Sequence, residues 1–158
     1  MSKSSIAKKA AGVVAAAAAV PALITATAHA DTAGTVYFSV RGLNCSIADD
    51  GTVGCDSASS IQMQISLGGV ALPFLIPVNQ VVIDVPWAPA HPGFGGAPHT
   101  LPGGNPAISA VGHPSGSGPT SGYEVTHAGA SCSTGFHGSF GCKSKGHAFS
   151  YYEVITAN

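Results

Sequence analysis

The sequence predicts an all-β fold: a small sandwich or barrel, stapled by disulfides and carrying a long loop rich in proline and glycine. Three observations carry that prediction. Apolar residues alternate with period two along several short segments, and beyond the first thirty residues no stretch repeats with the helical period. Four cysteines, Cys45, Cys55, Cys132 and Cys142, fall into two pairs of equal spacing. Of 158 residues, 21 are Gly and 11 are Pro, while only 6 are Lys or Arg and 7 are Asp or Glu. An ordinary globular chain is roughly a quarter charged. Such a composition excludes a coiled coil, a long-helix bundle and a charged disordered tail, and without glycine at every third position it is not collagen.

Residues 1–30 read as a secretory signal peptide. Lys3, Lys8 and Lys9 make a positive start, Ala10 to Ile24 an apolar run, and Ala28-His29-Ala30 a small-x-small cleavage site that leaves Asp31 first in the mature chain. The competing reading is a membrane anchor, but the run is short for the roughly 20 residues of a span and Pro21 interrupts it. Neither a twin-arginine pair nor a cysteine just after the site is present, so no Tat signal or lipoprotein anchor is indicated. The protein is therefore expected outside the cell or on its wall. Cleavage leaves 128 residues, expected as one β-rich domain over 31–158. It also leaves three basic residues, Arg41, Lys143 and Lys145, against seven acidic ones, a net charge of −4 with histidine neutral. Nucleic-acid binding and a polybasic membrane patch both need clustered cations and are excluded. The most apolar remaining stretch, Val70 to Val78, carries Pro73 and Pro77, so no transmembrane segment is expected after cleavage.

The strands follow in order. Thr35 to Arg41 sets Val36, Phe38 and Val40 on one face. Ile61 to Leu67 alternates Ile61, Met63, Ile65 and Leu67 with Gln62, Gln64 and Ser66. Gln80 to Val85, Tyr123 to His127 and His147 to Ile155 complete the set. Between them lie the cysteine pairs, each closing over nine intervening residues. Four cysteines allow three pairings, but in an oxidising compartment neighbouring thiols close first, which favours the two local rings. The segments Cys45 to Ser57 and Cys132 to Ser144 share Cys, Ser, Gly, Gly, Cys and Ser at six aligned positions, with Thr52/Ser139 and Val53/Phe140 similar. Two copies of one hairpin unit are the natural explanation. Asp50-Gly51 and His137-Gly138 sit where a tight turn needs positive φ. Each ring is worth roughly 3 kcal/mol in the chain-entropy model. The spacing is too long for a structural zinc Cys-x₂₋₄-Cys and unlike a redox Cys-x-x-Cys.

Residues 86–122 hold eight of the eleven prolines and nine glycines. Proline removes backbone donors and is excluded from central strands, so this tract reads as a long loop with one short strand at Ala107 to Val111. Loops of this length in compact domains are often functional. Trp87 at its start, with His91 and His99, makes the candidate ligand-binding set, since these are large or hydrogen-bonding side chains on a proline-stiffened segment.

No catalytic residue is indicated and no cofactor. Gly-x-Ser-x-Gly is absent. Asp49-Asp50 is explained by turn chemistry, and Asp84, Glu124 and Glu153 show no pairing motif. The Gly-Gly pairs lack the Gly-Lys-Ser/Thr of a phosphate loop. Six histidines remain after cleavage, and imidazole suits zinc or copper, but none are at His-x-His or His-x₃-His spacing; no metal ligand is assigned.

Cys45 through Cys55, followed by Cys132 through Cys142 and Gly146-His147-Ala148-Phe149, resembles a group of small secreted actinobacterial proteins of unknown function. They carry one hairpin cysteine pair near the mature N-terminus and another before a Gly-His-x-Phe strand. Their usual Ser-Gly-Asn before the first cysteine is here Arg41-Gly42-Leu43-Asn44. The resemblance implies an extracytoplasmic β-rich domain and no activity. The leading expectation is a secreted, non-enzymatic binding or cell-envelope-associated module whose partner is a protein or envelope component. Two rivals are a small extracellular metal-binding protein or hydrolase using loop histidines, and a secreted protease inhibitor.

Overall fold

The computed structural model describes residues 34–158; the signal peptide assigned to residues 1–30 lies outside them. Among the described residues the chain is all-β, with twelve strands joined in one sheet. In chain order they are β1 (Val36–Val40), β2 (Leu43–Ile47), β3 (Val53–Leu67), β4 (Val70–Ala71), β5 (Ile76–Ile83), β6 (His91–Pro92), β7 (His113–Ser115), β8 (Gly122–His127), β9 (Ala130–Thr134), β10 (Phe140–Ser144), β11 (His147–Tyr151) and β12 (Ile155–Ala157). One helical turn, α1 (Ile108–Val111), precedes β7. The main path runs β1-β2-β3-β12-β11-β10-β9-β8-β7, with β4, β5 and β6 branching from β3.

Both disulfides form as the spacing predicts, Cys45–Cys55 across β2 and β3 and Cys132–Cys142 across β9 and β10. In each the two cysteines are direct cross-strand partners with Cα atoms 4.0 Å apart, the close spacing of a non-hydrogen-bonded antiparallel pair. The ring loops match as well. Ala48 N–H donates to Thr52 O and Gly51 N–H to Ala48 O; Gly135 N–H donates to Ser139 O and Gly138 N–H to Gly135 O. Gly51 and Gly138 have φ of 77° and 74°, the positive values for which Gly was expected there.

The repeat is larger than the rings. Each residue of β1, of β2 and of the first five positions of β3 has its counterpart 87 positions on in β8, β9 and β10, as Cys45 has Cys132. Arg41-Gly42 joins β1 to β2, Ala128-Gly129 joins β8 to β9, and Lys145-Gly146 joins β10 to β11. All six residues have φ between 47° and 85°, the mark of two-residue type I′ hairpins.

Side chains on the inner face form two buried belts in register: Phe38, Cys45, Cys55 and Val81 on one meander and its neighbour β5, Val125, Cys132, Cys142 and Phe149 on the other with β11. The sheet curls until β1 meets β10. Phe140 lies edge-on to Phe38 at 6.2 Å and to Phe149 at 6.1 Å between ring centroids, pairs worth roughly 0.5–1.5 kcal/mol each beyond their buried area. The result is one sheet curled into a half-barrel.

β3 makes the curl possible. Its first half pairs with β2 and its second, in parallel, with β12, while β5 runs along its other edge. Register slips between Asp56 and Ile61, at the small residues Ala58, Ser59 and Ser60, so the strand bends there as bulges do.

Three expectations are corrected. Ala107 to Val111 is not a strand: Ala110 N–H donates to Ala107 O and Gly112 N–H to Ile108 O, closing a helical turn over the one buried residue, Ile108, while Ala107 keeps only a single bridge to Ser39. His147 to Ile155 is two strands, because the chain turns at residues 152–154 to lay β12 alongside β3. The strand expected over Gln80 to Val85 starts earlier, at Ile76, passes through the exposed Pro77 and ends at Ile83.

Candidate functional site

The outer faces of the two meanders present equivalent residues: Asn44, Ser46, Gly54 and Asp56 on the first, Ser131, Ser133, Gly141 and Lys143 on the second. The chain treats these two faces differently.

On the first, residues 93–106 of the Pro/Gly tract fold back over the sheet. The His99 ring lies on Gly54, where a Cβ would stand 2.0 Å from its Nε2, and His99 Nδ1 shares a 2.8 Å hydrogen bond with Ser46 Oγ. Asp56, 5% exposed, accepts from His99 N–H at 2.8 Å, Thr100 Oγ1 at 2.9 Å and Gln80 Nε2 at 2.7 Å. A buried carboxylate without such donors is costly. Asn105 completes the clamp: its side-chain amide donates to Cys45 O, Phe38 O and His99 O, its Oδ1 accepts from Leu101 N–H, and its own N–H donates to Asn44 Oδ1. Among the described residues no buried side-chain N or O atom lacks a partner. Burial holds the His99 imidazole below its ordinary pKa, with the Asp56 carboxylate pulling the other way.

On the second face no segment among the described residues lies across the sheet. The atoms nearest a Cβ built on Gly141 are Phe149 O, at 3.0 Å, and Ser150, both of the adjacent strand β11. A cleft of about 280 Å³ lies here, lined by Ser131, Ser133, Gly141, Lys143, Ser150 and Glu124 among others. It shares Ser131, Lys143, Ala148 and Asn158 with a neighbouring depression of about 660 Å³ that extends to the β3–β4 hairpin at Ser66 to Gly69. The floor of the smaller cleft is therefore small hydroxyl-bearing residues with one cation, Lys143, and one carboxylate, Glu124. Arg41 donates to Gly138 O and Tyr152 O, and Lys145 to Asp50, Thr52 and Asp84 O. Lys143 is exposed and has no hydrogen-bond or ion-pair partner among the described residues. Glu124, the cross-strand partner of Ser133, lies 3.6 Å from His113 Nε2.

The structure places the three candidate residues of the tract separately. Trp87 is 81% exposed. His91, on β6, has Nε2 2.9 Å from Asp84 Oδ1 and Nδ1 3.0 Å from Pro92 O; burial opposes its protonation, but these two partners outweigh it and raise its pKa. His99 is built into the clamp. No group of three His, Cys, Asp or Glu side chains among the described residues is close enough to share a metal ion. No described helix is long and apolar enough to cross a membrane. Sequence reasoning missed the open cleft, although its signal was in view: Ser46/Ser133 and Gly54/Gly141 are two of the six identities of the repeat, and residues two apart on a strand share a face with their cross-strand partners. No protein-family model, curated protein or solved structure matches the chain.

Proposed function

We propose that this protein is a secreted, non-enzymatic binding module, associated with the cell envelope, whose ligand lies in the cleft over β9, β10 and β11. The observation that carries this reading is the asymmetry of the repeat: one outer face is filled by the chain's own tract, and the equivalent face is open. The leader pattern, the paired rings and the resemblance to secreted actinobacterial proteins support export, since disulfides persist in oxidising compartments. A floor of hydroxyls with one cation and one carboxylate suits polar recognition, and it lacks the two facing carboxylates of glycosyl transfer.

The test is capture from a cell-envelope extract by the disulfide-bonded protein and by Lys143→Glu. A component retained by the former and lost by the latter is expected; identical or empty capture by both removes the cleft from the reading. A protease inhibitor presenting the tract is the second reading, favoured by Trp87 and Phe94, 81% and 92% exposed. It requires inhibition of at least one secreted protease, lost in Trp87→Ala.

A further inference from the structure

The molecule carries, in its first meander, an example of what its second meander is shaped to hold. Over Ser46, Gly54 and Asp56 sits a stretch of polypeptide folded into two successive turns, Thr100 N–H donating to Ala97 O and Gly104 N–H to Leu101 O. It supplies a planar ring that lies on the glycine, a ring nitrogen 2.8 Å from the serine hydroxyl, and next to the ring two donors that meet the charged residue. The second face keeps the serine and the glycine as Ser133 and Gly141, and puts Lys143 where Asp56 stands. Reversing the sign of that one residue reverses what must face it: an acceptor carrying negative charge in place of two donors.

We infer that the cleft over Ser133, Gly141 and Lys143 binds a peptide segment of a partner protein, one carrying a planar ring for Gly141 and, beside it, a carboxylate for Lys143. This rests on the binding-module reading and gives its ligand a chemistry. A polypeptide is favoured over a sugar because the occupant of the equivalent face is polypeptide, held through its main-chain N–H as well as its side chains. A single carboxylate, placed on the Lys143 side, is favoured over an acidic run because Glu124, the cross-strand partner of Ser133, and the mature chain's net charge of −4 repel a polyanion while Lys143 attracts one near charge. Ser131 and Ser150, which flank the lysine and the glycine in the same cleft, offer hydroxyls to the peptide backbone. The ring need not be imidazole: Ser150 replaces Val82 beside the glycine, so an aromatic ring or a side-chain amide edge meets a polar neighbour.

The experiment is selection of a phage-displayed random linear peptide library on the disulfide-bonded protein, with the selected peptides then titrated against wild type and Lys143→Glu and mapped by amide shifts. Lys143 is exposed, so its replacement leaves the core intact; unchanged amide shifts at Phe38, Phe140 and the four cysteines verify this. Enrichment of peptides pairing an acidic residue with a ring-bearing one is expected. Affinity should fall about tenfold or more in Lys143→Glu, recover with lysine in place of the peptide's acid, and shifts should centre on Ser133 and Gly141 rather than Ser46 and Gly54. Failure to enrich, insensitivity to Lys143→Glu, or a footprint elsewhere overturns the inference. Two further outcomes overturn it while keeping the binding module: an envelope glycan, or a second copy of this chain, occupying the cleft in a Lys143-dependent way. If neither peptide, envelope fraction nor second copy perturbs the cleft, the inference and the binding-module reading fall together.

Discussion

At the scale of single residues, Gly54 and His99 make the clearest case of chemistry set by a neighbour distant in sequence. Gly54 sits in an extended strand that any side chain tolerates; glycine is needed because the His99 ring occupies the space of a Cβ. Gly54→Ala is therefore expected to displace the ring, cost about 1–3 kcal/mol in denaturant unfolding, and leave both disulfides formed. His99 also gives the fold an acid-side weakness. Its folded pKa lies below the unfolded value of 6.5 because burial disfavours the charged ring. Below 6.5 the unfolded chain binds the proton more readily, so this histidine's contribution is present above the unfolded pKa and is lost as pH falls through the folded one. His91 acts with the opposite sign, its raised pKa adding stability below 6.5 that is lost as pH rises through its folded value. Between about pH 7 and about pH 5 the thermal midpoint of His99→Asn should fall less, or rise more, than that of the wild type, since His91 acts alike in both. A midpoint that falls equally in both proteins would assign the acid sensitivity to other groups.

At the scale of elements, three type I′ hairpins carry the two meanders, and each has glycine at its second turn position but a different first residue: Arg41, Ala128 or Lys145. Asn and Asp are the residues that tolerate this left-handed conformation best. Arg41 and Lys145 recover the cost through long-range contacts: Arg41 reaches Gly138 O and Tyr152 O and lies 5.5 and 5.3 Å from the Tyr151 and Tyr152 ring centroids, and Lys145 reaches Asp50. Ala128 has no side chain with which to do so. Ala128→Asn is thus expected to stabilise the protein by about 0.5–1 kcal/mol, read as a higher midpoint in calorimetry; a lower midpoint would place the turn in another class. The Pro/Gly tract behaves as an element as well. Proline bars it from the interior of the sheet, and Asn105 and Asp56 then fasten it on top.

At the scale of the whole molecule, the two copies pack reciprocally. Arg41 of the first meets Gly138 of the second ring, and the residue equivalent to Arg41, Ala128, has its carbonyl 2.8 Å from where a Cβ on Gly51 would lie. Ser144 Oγ donates to Gly51 O, and His127 Nε2 lies 3.0 Å from Asp49 Oδ1. Each ring loop is held by the other copy's hairpin, as in a self-complementary two-fold interface. The break in this symmetry is the tract, which covers one outer face and leaves the other open, and the proposed binding site is that break.

The all-β class, both ring pairings and the strands around Phe38, Met63 and Val125 were legible in the sequence, because period two, cysteine spacing and glycine turns act over a few residues. The start of β5 at Ile76, the split of the last strand at residues 152–154, and the helical turn at Ile108 were not, since each depends on which distant edge lies beside it. The candidate site divides in the same way. The sequence alone determined that two equivalent faces exist and that they differ in sign, Asp56 against Lys143. Only the tertiary structure decided which face the tract fills. That choice rests on hydrogen bonds between residues more than forty positions apart, from His99 and Thr100 to Asp56 and from Asn105 to Cys45, and no local pattern in the chain encodes them.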